Sequence, residues 1–162
     1  YGIAPGSGEK SSASLSLMTD FEDEVFVVSI TPGMDCEMLE HFNEHNCRGL
    51  VVQVYGAGNA PLGSNAHPTE LKNQLARLTA AGVVVVAMSQ CGHGSVSIGK
   101  YAAGAMFHSI GVVGAKDMTV ETVTTKLRWL LKQENPTNNN LLYTAEEIRT
   151  KLLENINNEL TI

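Results

Sequence analysis

Two glycine-containing turns hold the side chains best suited to bind a small ligand. The first is Gly56-Ala57-Gly58-Asn59 after the apolar run 50–55, and the second is Ser89-Gln90-Cys91-Gly92-His93 after the run 83–88. Such turns expose backbone N–H groups and short polar side chains at the carboxyl ends of strands, where open α/β sheets bind ligands. We therefore expect the two turns to lie side by side and to form one site.

Cysteine and histidine residues offer two other kinds of chemistry, nucleophilic catalysis and metal binding. Cys91 and His93 stand two positions apart on one loop, which rarely brings sulfur and imidazole within hydrogen-bond distance, so we expect no cysteine nucleophile. His41 and His45 stand four positions apart on a predicted helix, a spacing that can hold a metal, but no third ligand is evident. A solvated helix face explains them better. We expect no metal and no cofactor.

Strand and helix patterns alternate four times along the chain. Short apolar runs predict strands at 25–30, 49–55, 83–88 and 111–114. Helical spacing predicts helices from about Asp35, from Pro68 to Gly82, at 101–110 and 118–131, and from a capping box at 144–147 to Leu160. Fully apolar strands joined by amphipathic helices are typical of α/β folds. We expect a small parallel sheet of about four strands with helices on both faces, Rossmann/flavodoxin-like.

Composition bounds the domain organisation and the partners. The 162 residues, 43% hydrophobic, suffice for one core at 25–162, while the Gly- and Ser-rich segment 1–24 is predicted to be an interdomain linker that follows another domain. A net charge of −6 without a basic stripe argues against nucleic-acid binding. The longest apolar run is too short to span a bilayer, so no membrane partner is expected. Three cysteines without zinc or disulfide spacing predict a reducing, cytoplasmic location.

Four blocks of residues, taken in order, resemble the C-terminal domain of cytosolic (type I) L-asparaginases. They are Tyr-Gly-Ala-Gly-Asn-Ala-Pro at 55–61, Ser-Gln-Cys at 89–91 with Gly94, Gly-Lys-Tyr-Ala-Ala-Gly at 99–104, and Asp-Met-Thr-Val-Glu at 117–121 with Lys126-Leu127. The resemblance covers about 25–135. Each block alone is weak, but the ordered series is specific.

The resemblance implies a chain that needs a second domain for activity. Enzymes of this family combine two α/β domains, and the larger N-terminal domain carries two threonine motifs, one of which supplies the nucleophile. Neither Thr-Gly-Gly-Thr nor Asp-Gly-Thr-Asp occurs in this sequence. A threonine hydroxyl also needs an adjacent base and an oxyanion site. We therefore expect this chain to be inactive alone, to partner an N-terminal asparaginase domain, and to form a homodimer or tetramer.

The resemblance also implies roles for the two turns. Asn59 would reach across a dimer interface to the amino-acid part of a substrate bound by the neighbouring subunit; the alternative is an asparagine that stabilises the turn by adopting a left-handed φ. Gln53, Tyr55, Gly58 and Cys91 would line an effector pocket for asparagine. Bacterial relatives use an arginine at the position of Gln53, and a neutral amide loses its charge and its bidentate grip. Lys100 or Arg48 could supply a substitute cation.

Three functions remain open from sequence. The first is the C-terminal domain of an enzyme that hydrolyses L-asparagine to L-aspartate and ammonia. The second is a freestanding small-ligand-binding or dimerisation module of the same fold. The third is the related subunit of a glutamyl-tRNA amidotransferase. The sequence does not distinguish asparagine from glutamine preference.

Overall fold

Four parallel strands form the centre of the fold. The structure is a computed structural model that describes residues 17–63, 69–91, 102–138 and 141–160. The strands β1 (Val25–Ser29), β2 (Gly49–Val54), β3 (Val84–Ser89) and β4 (Val113–Gly114) pair in the order β1-β2-β3-β4, and every pairing is parallel. All of β3 is buried, as is all of β2 except the half-buried Gln53. Burial on both faces explains why these strands are apolar without alternation.

Helices and a short hairpin surround this sheet. They are α1 (Met38–Glu44), α2 (Glu70–Ala80), α3 (Ala102–Ser109), α4 (Val120–Leu130), the antiparallel strands β5 (Glu134–Asn135) and β6 (Leu141–Leu142), and α5 (Ala145–Leu152). Thr69, Thr119 and Thr144 cap α2, α4 and α5 by accepting a backbone N–H bond on the side-chain oxygen. Within the described ranges no helix has the length and apolar character needed to cross a bilayer.

The first three helices share one face of the sheet. Each strand lies beside the preceding one, so right-handed crossovers carry α1, α2 and α3 to the same side. Leu39, Leu75 and Phe107 from these helices pack there against Val52 and Val85 in one buried cluster. The described strand order contains no reversal, and a reversal is what opens the ligand crevice of doubly wound sheets.

The last two helices cover the opposite face. Leu127 of α4 and Ile148 of α5 pack with Val51 and Val86 in a second buried cluster. The helix α4 approaches β2 at Gly49, where a Cβ atom would lie 2.8 Å from Cδ2 of Leu127, so a larger residue would displace the helix. The predicted α/β fold, with a four-stranded parallel sheet and helices on both faces, is confirmed.

Element ends differ from the predictions near the C-terminus. The helix α5 ends at Leu152, so the predicted continuation to Leu160 is wrong. Ile156 is 53% exposed, whereas Leu160 is buried in the second core from an irregular segment. Asn158 adopts φ +60° in this segment, a left-handed conformation that a continuous α-helix through Leu160 could not contain.

Two other helix ends have local causes. The helix α1 begins at Met38 instead of Asp35, because the Asp35 carboxylate accepts a hydrogen bond from the N–H of Glu37 and forms a turn first. Gly82 takes φ +91° just after α2, as expected of a glycine that terminates a helix. Pro68 lies outside the described residues.

The sequence patterns do not predict the short hairpin β5–β6. Asn135 is buried, and its Oδ1 accepts hydrogen bonds from the backbone N–H and the hydroxyl of Thr137. Its Nδ2 donates a hydrogen bond to Oε1 of Glu147 at 2.6 Å. Glu147 also completes the predicted capping box with Thr144. The hairpin therefore fixes the start of α5.

A buried ion pair holds the C-terminal segment on α4. Lys126 Nζ lies 2.5 Å from Oε1 of Glu159 and also donates to the backbone oxygen of Glu154, with the Lys126 side chain 6% exposed. Burial alone raises the pKa of Glu159, but the hydrogen bonds from Lys126 and from the N–H groups of Ile156 and Asn157 lower it to about 2. Glu159 is therefore a charged partner of α4.

The described part of the predicted linker also contacts α4. Arg128 Nε donates to the backbone oxygen of Glu22 at 2.6 Å, and its Nη2 lies 2.5 Å from Oδ1 of Asp23. Lys132 Nζ lies 3.5 Å from Oε2 of Glu22. Residues 22–23 are thus anchored to the helix by backbone and side chain, and the assignment of 1–24 as an interdomain linker stays a prediction.

Replacing Glu159 by glutamine is expected to destabilise the protein at neutral pH by about 1.5–3 kcal/mol, the usual contribution of a hydrogen bond to a charged group. Because the folded-state pKa lies below the ordinary value, this stabilisation is present above pH 4.5 and is lost as pH falls towards about 2. Urea unfolding of the wild type and Glu159→Gln between pH 7 and pH 2 measures the difference. A stability difference that does not change with pH would contradict the ion pair. So would an equal difference for the control Glu37→Gln, which replaces an exposed glutamate.

Candidate functional site

The chain that leaves β2 folds back into a tight turn that ends at Asn59. Tyr55 N donates to Asn59 O at 2.9 Å and Asn59 N donates to Tyr55 O at 2.8 Å, so the two residues form an antiparallel bridge. Gly58 N also donates to Tyr55 O, at 3.1 Å. Gly56 and Gly58 have φ values of +47° and +118°, which favour glycine. The turn is therefore held by its own backbone.

Asn59 presents its side chain on the surface of this turn. The residue is exposed, and its Oδ1 accepts a hydrogen bond from Ala60 N at 3.0 Å. The positive φ angles belong to the two glycines and not to Asn59, so the alternative in which Asn59 is present for its left-handed φ is wrong. This one hydrogen bond to the backbone orients the carboxamide, which faces solvent.

Ser89 joins the two turns. Its side-chain oxygen donates to Gly56 O at 2.6 Å and accepts from Cys91 N at 3.0 Å. Ser89 is buried, whereas Cys91 is exposed. The structure therefore brings the Tyr55–Asn59 turn and the start of the Cys91 loop into contact, as their places after neighbouring strands predict. His93 and the rest of that loop lie outside the described residues.

Gln90 binds the carboxyl ends of β1 and β2. Its Nε2 donates to Ile30 O at 2.5 Å and to Gln53 O at 2.9 Å, and its backbone N donates to Val54 O at 2.9 Å. These roles of Ser89 and Gln90 were not predicted. The available signal was that two polar residues, Ser89 and Gln90, follow directly on the apolar run 83–88.

Two residues of the predicted effector pocket, Gln53 and Tyr55, face opposite sides of the sheet. Gln53 stands between Val52 and Val54, which face α1 to α3, so its side chain faces the α4 side, where its Oε1 accepts from Ser29 Oγ at 2.5 Å. Tyr55 packs against the α1 to α3 core. Gly58 is buried within the first turn, and Cys91 is exposed after β3.

Arg48, one of the two suggested substitute cations, does not lie beside Gln53. Arg48 precedes β2 at its amino end, and the five residues from Arg48 to Gln53 span roughly 17 Å at the rise of an extended strand. That distance exceeds the reach of an arginine side chain. Lys100 lies outside the described residues.

The three thiols differ sharply in accessibility. Cys47 is buried and its Sγ donates to Gly49 O at 3.3 Å; burial raises its pKa to about 11. Burial also raises the pKa of Cys36, helped by the Asp35 and Glu70 carboxylates. Cys91 is the exposed thiol of the three, and none of them is in a disulfide. Thiolate chemistry at Cys36 and Cys47 is therefore suppressed at neutral pH.

A possible metal-binding cluster lies apart from the turns, at the carboxyl end of α1, where His45 is the C-cap residue. His41, Glu44 and His45 each offer a ligand atom, and these atoms lie within 4.8 Å of one another. The sequence prediction recognised the two histidines and missed Glu44, which stands three positions after His41 and therefore on the same side of the helix.

Cavities lie elsewhere on the molecule, beside α4 and beside β4. Two, of about 640 and 570 Å³, flank Trp129 on α4, and a third, of about 690 Å³, lies beside β4 with Lys116 and Arg149 in its wall. None of their described lining residues comes from either turn. Within the described residues, these cavities therefore do not coincide with the two turns.

Comparison with known protein sequences identifies the family of this chain. The model of the Glutaminase/Asparaginase C-terminal domain family matches residues 24–155. L-asparaginase 1 of Escherichia coli (strain K12) is 38% identical over 135 residues, which are 83% of this chain and 36% of that protein. A glutamyl-tRNA(Gln) amidotransferase subunit of Pyrococcus horikoshii is 31% identical over 140 residues, 86% of this chain and 28% of that protein.

Solved structures agree with the sequence relatives. L-asparaginase I from Vibrio cholerae superposes with a TM-score of 0.78 and 28% identity over 95% of this chain and 42% of that one. The thermostable L-asparaginase from Thermococcus kodakarensis gives a TM-score of 0.72 and 30% identity over 88% of this chain and 39% of that one. The chain thus spans well under half of these relatives, and it belongs to the glutaminase/asparaginase C-terminal domain family.

Proposed function

We propose that this chain is the C-terminal domain of an L-asparaginase that hydrolyses L-asparagine to L-aspartate and ammonia. The observation that carries the proposal is the carboxyl edge of the sheet, where Ser89 joins two turns and Asn59 is held outward on a rigid support. The threonine motifs that the reaction requires are absent from this sequence, so the nucleophile comes from an N-terminal asparaginase domain. This chain contributes no catalytic residue of its own.

Asn59 is proposed to bind the amino-acid part of the substrate in a neighbouring subunit. Its amide oxygen can accept a hydrogen bond from an α-ammonium group, and its exposed position in the turn suits contact across an interface. A site shared between subunits in this way is part of the proposal, and the complete protein is accordingly proposed to form a homodimer or tetramer.

The effector pocket is proposed to be without function in this chain. Gln53 is neutral, its side-chain oxygen already accepts from Ser29, and it lies on the other sheet face from Tyr55. An effector carboxylate would therefore lack the charged, bidentate partner that makes such binding strong. The complete enzyme should respond to asparagine without cooperativity.

The proposed location is the cytoplasm. All three cysteines are free, and the exposed Cys91 would be open to oxidation in an oxidising compartment. Such a set of thiols suits a reducing environment.

A second function has a specific relative in its favour. The glutamyl-tRNA(Gln) amidotransferase protein of Pyrococcus horikoshii matches 86% of this chain. If the complete protein were a subunit of such an enzyme, it would require a partner chain and charged tRNA as substrate. Ammonia release from free asparagine by the complete protein alone distinguishes the two functions.

The 162-residue chain is expected to unfold cooperatively in urea and to release no ammonia from asparagine, because the threonine motifs are absent. Circular dichroism follows the unfolding, and a coupled assay follows the ammonia. Release above that of a heat-inactivated sample would contradict the assignment of the nucleophile to another domain.

Replacing Asn59 by alanine in the complete protein should lower kcat/KM for asparagine about ten- to a hundredfold, the equivalent of roughly 1.5–3 kcal/mol for a lost hydrogen bond to a charged group. The thermal midpoint should change little, since Asn59 is exposed. The Asn43→Ala variant on α1 serves as the matched control. Unchanged kcat/KM in Asn59→Ala would leave Asn59 as a turn residue only.

Asparagine is expected not to bind beside the second turn of the 162-residue chain. Calorimetric titration should show no saturable binding, and the rate at which a thiol reagent labels Cys91 should not change with asparagine. Cys91→Ser identifies the fast-labelling thiol. In the complete protein, velocity should depend hyperbolically on asparagine, because the coupling of roughly 1–3 kcal/mol that cooperativity needs is absent. Saturable millimolar binding, or protection of Cys91, would show a working effector site.

A further inference from the structure

Three metal-ligand side chains lie together at the carboxyl end of α1. His41, Glu44 and His45 are all exposed, and their ligand atoms lie within 4.8 Å of one another. The two imidazole rings are 3.7 Å apart between centroids and tilted by 36°. Tetrahedral zinc sites with ligand distances near 2.0–2.2 Å require nitrogen and oxygen atoms about 3.3 Å apart, so small side-chain rotations suffice to close the cluster on one ion.

A backbone contact prepares one of the two imidazoles. His45 Nδ1 lies 2.9 Å from the carbonyl oxygen of His41, and in the tautomer that donates this bond the Nε2 atom is the one that coordinates. Metal-ligating histidines commonly donate their second ring nitrogen to a carbonyl in this way, which fixes ring orientation. Here the carbonyl comes from the other histidine of the cluster.

The electrostatic surroundings of the cluster favour a cation. The segment 35–45 contains Asp35, Glu37, Glu40 and Glu44 and neither lysine nor arginine. Arg77 lies 3.1 Å from Glu40, so it neutralises a carboxylate outside the cluster. The cluster also stands at the carboxyl end of α1, where the backbone dipole is negative. Each of these effects lowers the free energy of a bound divalent ion.

We propose that His41, Glu44 and His45 bind a divalent transition-metal ion of the zinc type. Two imidazole nitrogens and one carboxylate oxygen suit Zn²⁺ and exclude a preference for Mg²⁺, which demands oxygen ligands. Water completes the coordination. The order His-x-x-Glu-His occurs in one class of zinc proteases, but these three side chains lie on an exposed helix face, so the ion ties together one helical turn and is independent of the asparaginase site.

Zinc binding is measured by calorimetry and by thermal unfolding of the protein, with ZnCl₂ added after EDTA treatment and removal of the chelator. At free Zn²⁺ about one hundred times Kd, Tm should rise by roughly 5–10 °C. MgCl₂ should cause no comparable rise.

Variants locate the ion. His41→Ala and His45→Ala should each weaken Zn²⁺ binding at least about tenfold, while His108→Gln, an exposed histidine on α3, should leave it unchanged. Circular dichroism in EDTA verifies that the exposed substitutions leave the fold intact. Cys91→Ser should also retain the site. Absence of saturable binding, binding that survives His41→Ala, or binding lost in Cys91→Ser would overturn the proposal.

Discussion

The strand order β1-β2-β3-β4 is the constraint on which the rest of this domain depends. Because each crossover moves the chain one strand in the same direction, α1 to α3 accumulate on one face and leave the other face of the sheet apolar and uncovered. The helices α4 and α5 must then return across that second face, and the close approach at Gly49 shows how tightly they do so. Within the described residues the same order contains no reversal, the feature that opens a ligand crevice at the carboxyl edge of doubly wound sheets.

Hydroxyl and amide side chains give that edge its rigidity. Ser89 links the two turns, and Gln90 links the ends of β1 and β2 through backbone oxygens. Carbonyl groups at strand ends would otherwise depend on water, and here side chains at the end of β3 donate hydrogen bonds to them. A site that is completed only on assembly benefits from such preorganisation, since little conformational entropy remains to be lost when the second surface arrives.

Sequence patterns predicted the sheet better than the site. Apolar runs identified the strands because burial on both faces removes the need for polar residues, and the capping box at Thr144 and Glu147 identified the start of α5. The helix was extended too far because Leu160 keeps helical spacing while it packs from an irregular segment. Residue spacing could not show that Gln53 faces the α4 side of the sheet while Tyr55 packs on the other. That difference arises where the strand ends and the turn begins, and strand alternation no longer applies.

The separation of the two cores has a consequence for the order in which the chain can fold. Residues of the first core extend from Val28 to Val112, so that core can assemble once β4 has been synthesised. The second core needs α4 and α5, and Arg128 meets Glu22 across a separation of 106 positions. Until those helices emerge, the valines on the second face of β2 and β3 remain in water, and uncovered apolar sheet surface promotes aggregation of partly folded chains. The nascent domain is therefore most vulnerable during the interval between synthesis of β4 and synthesis of α5.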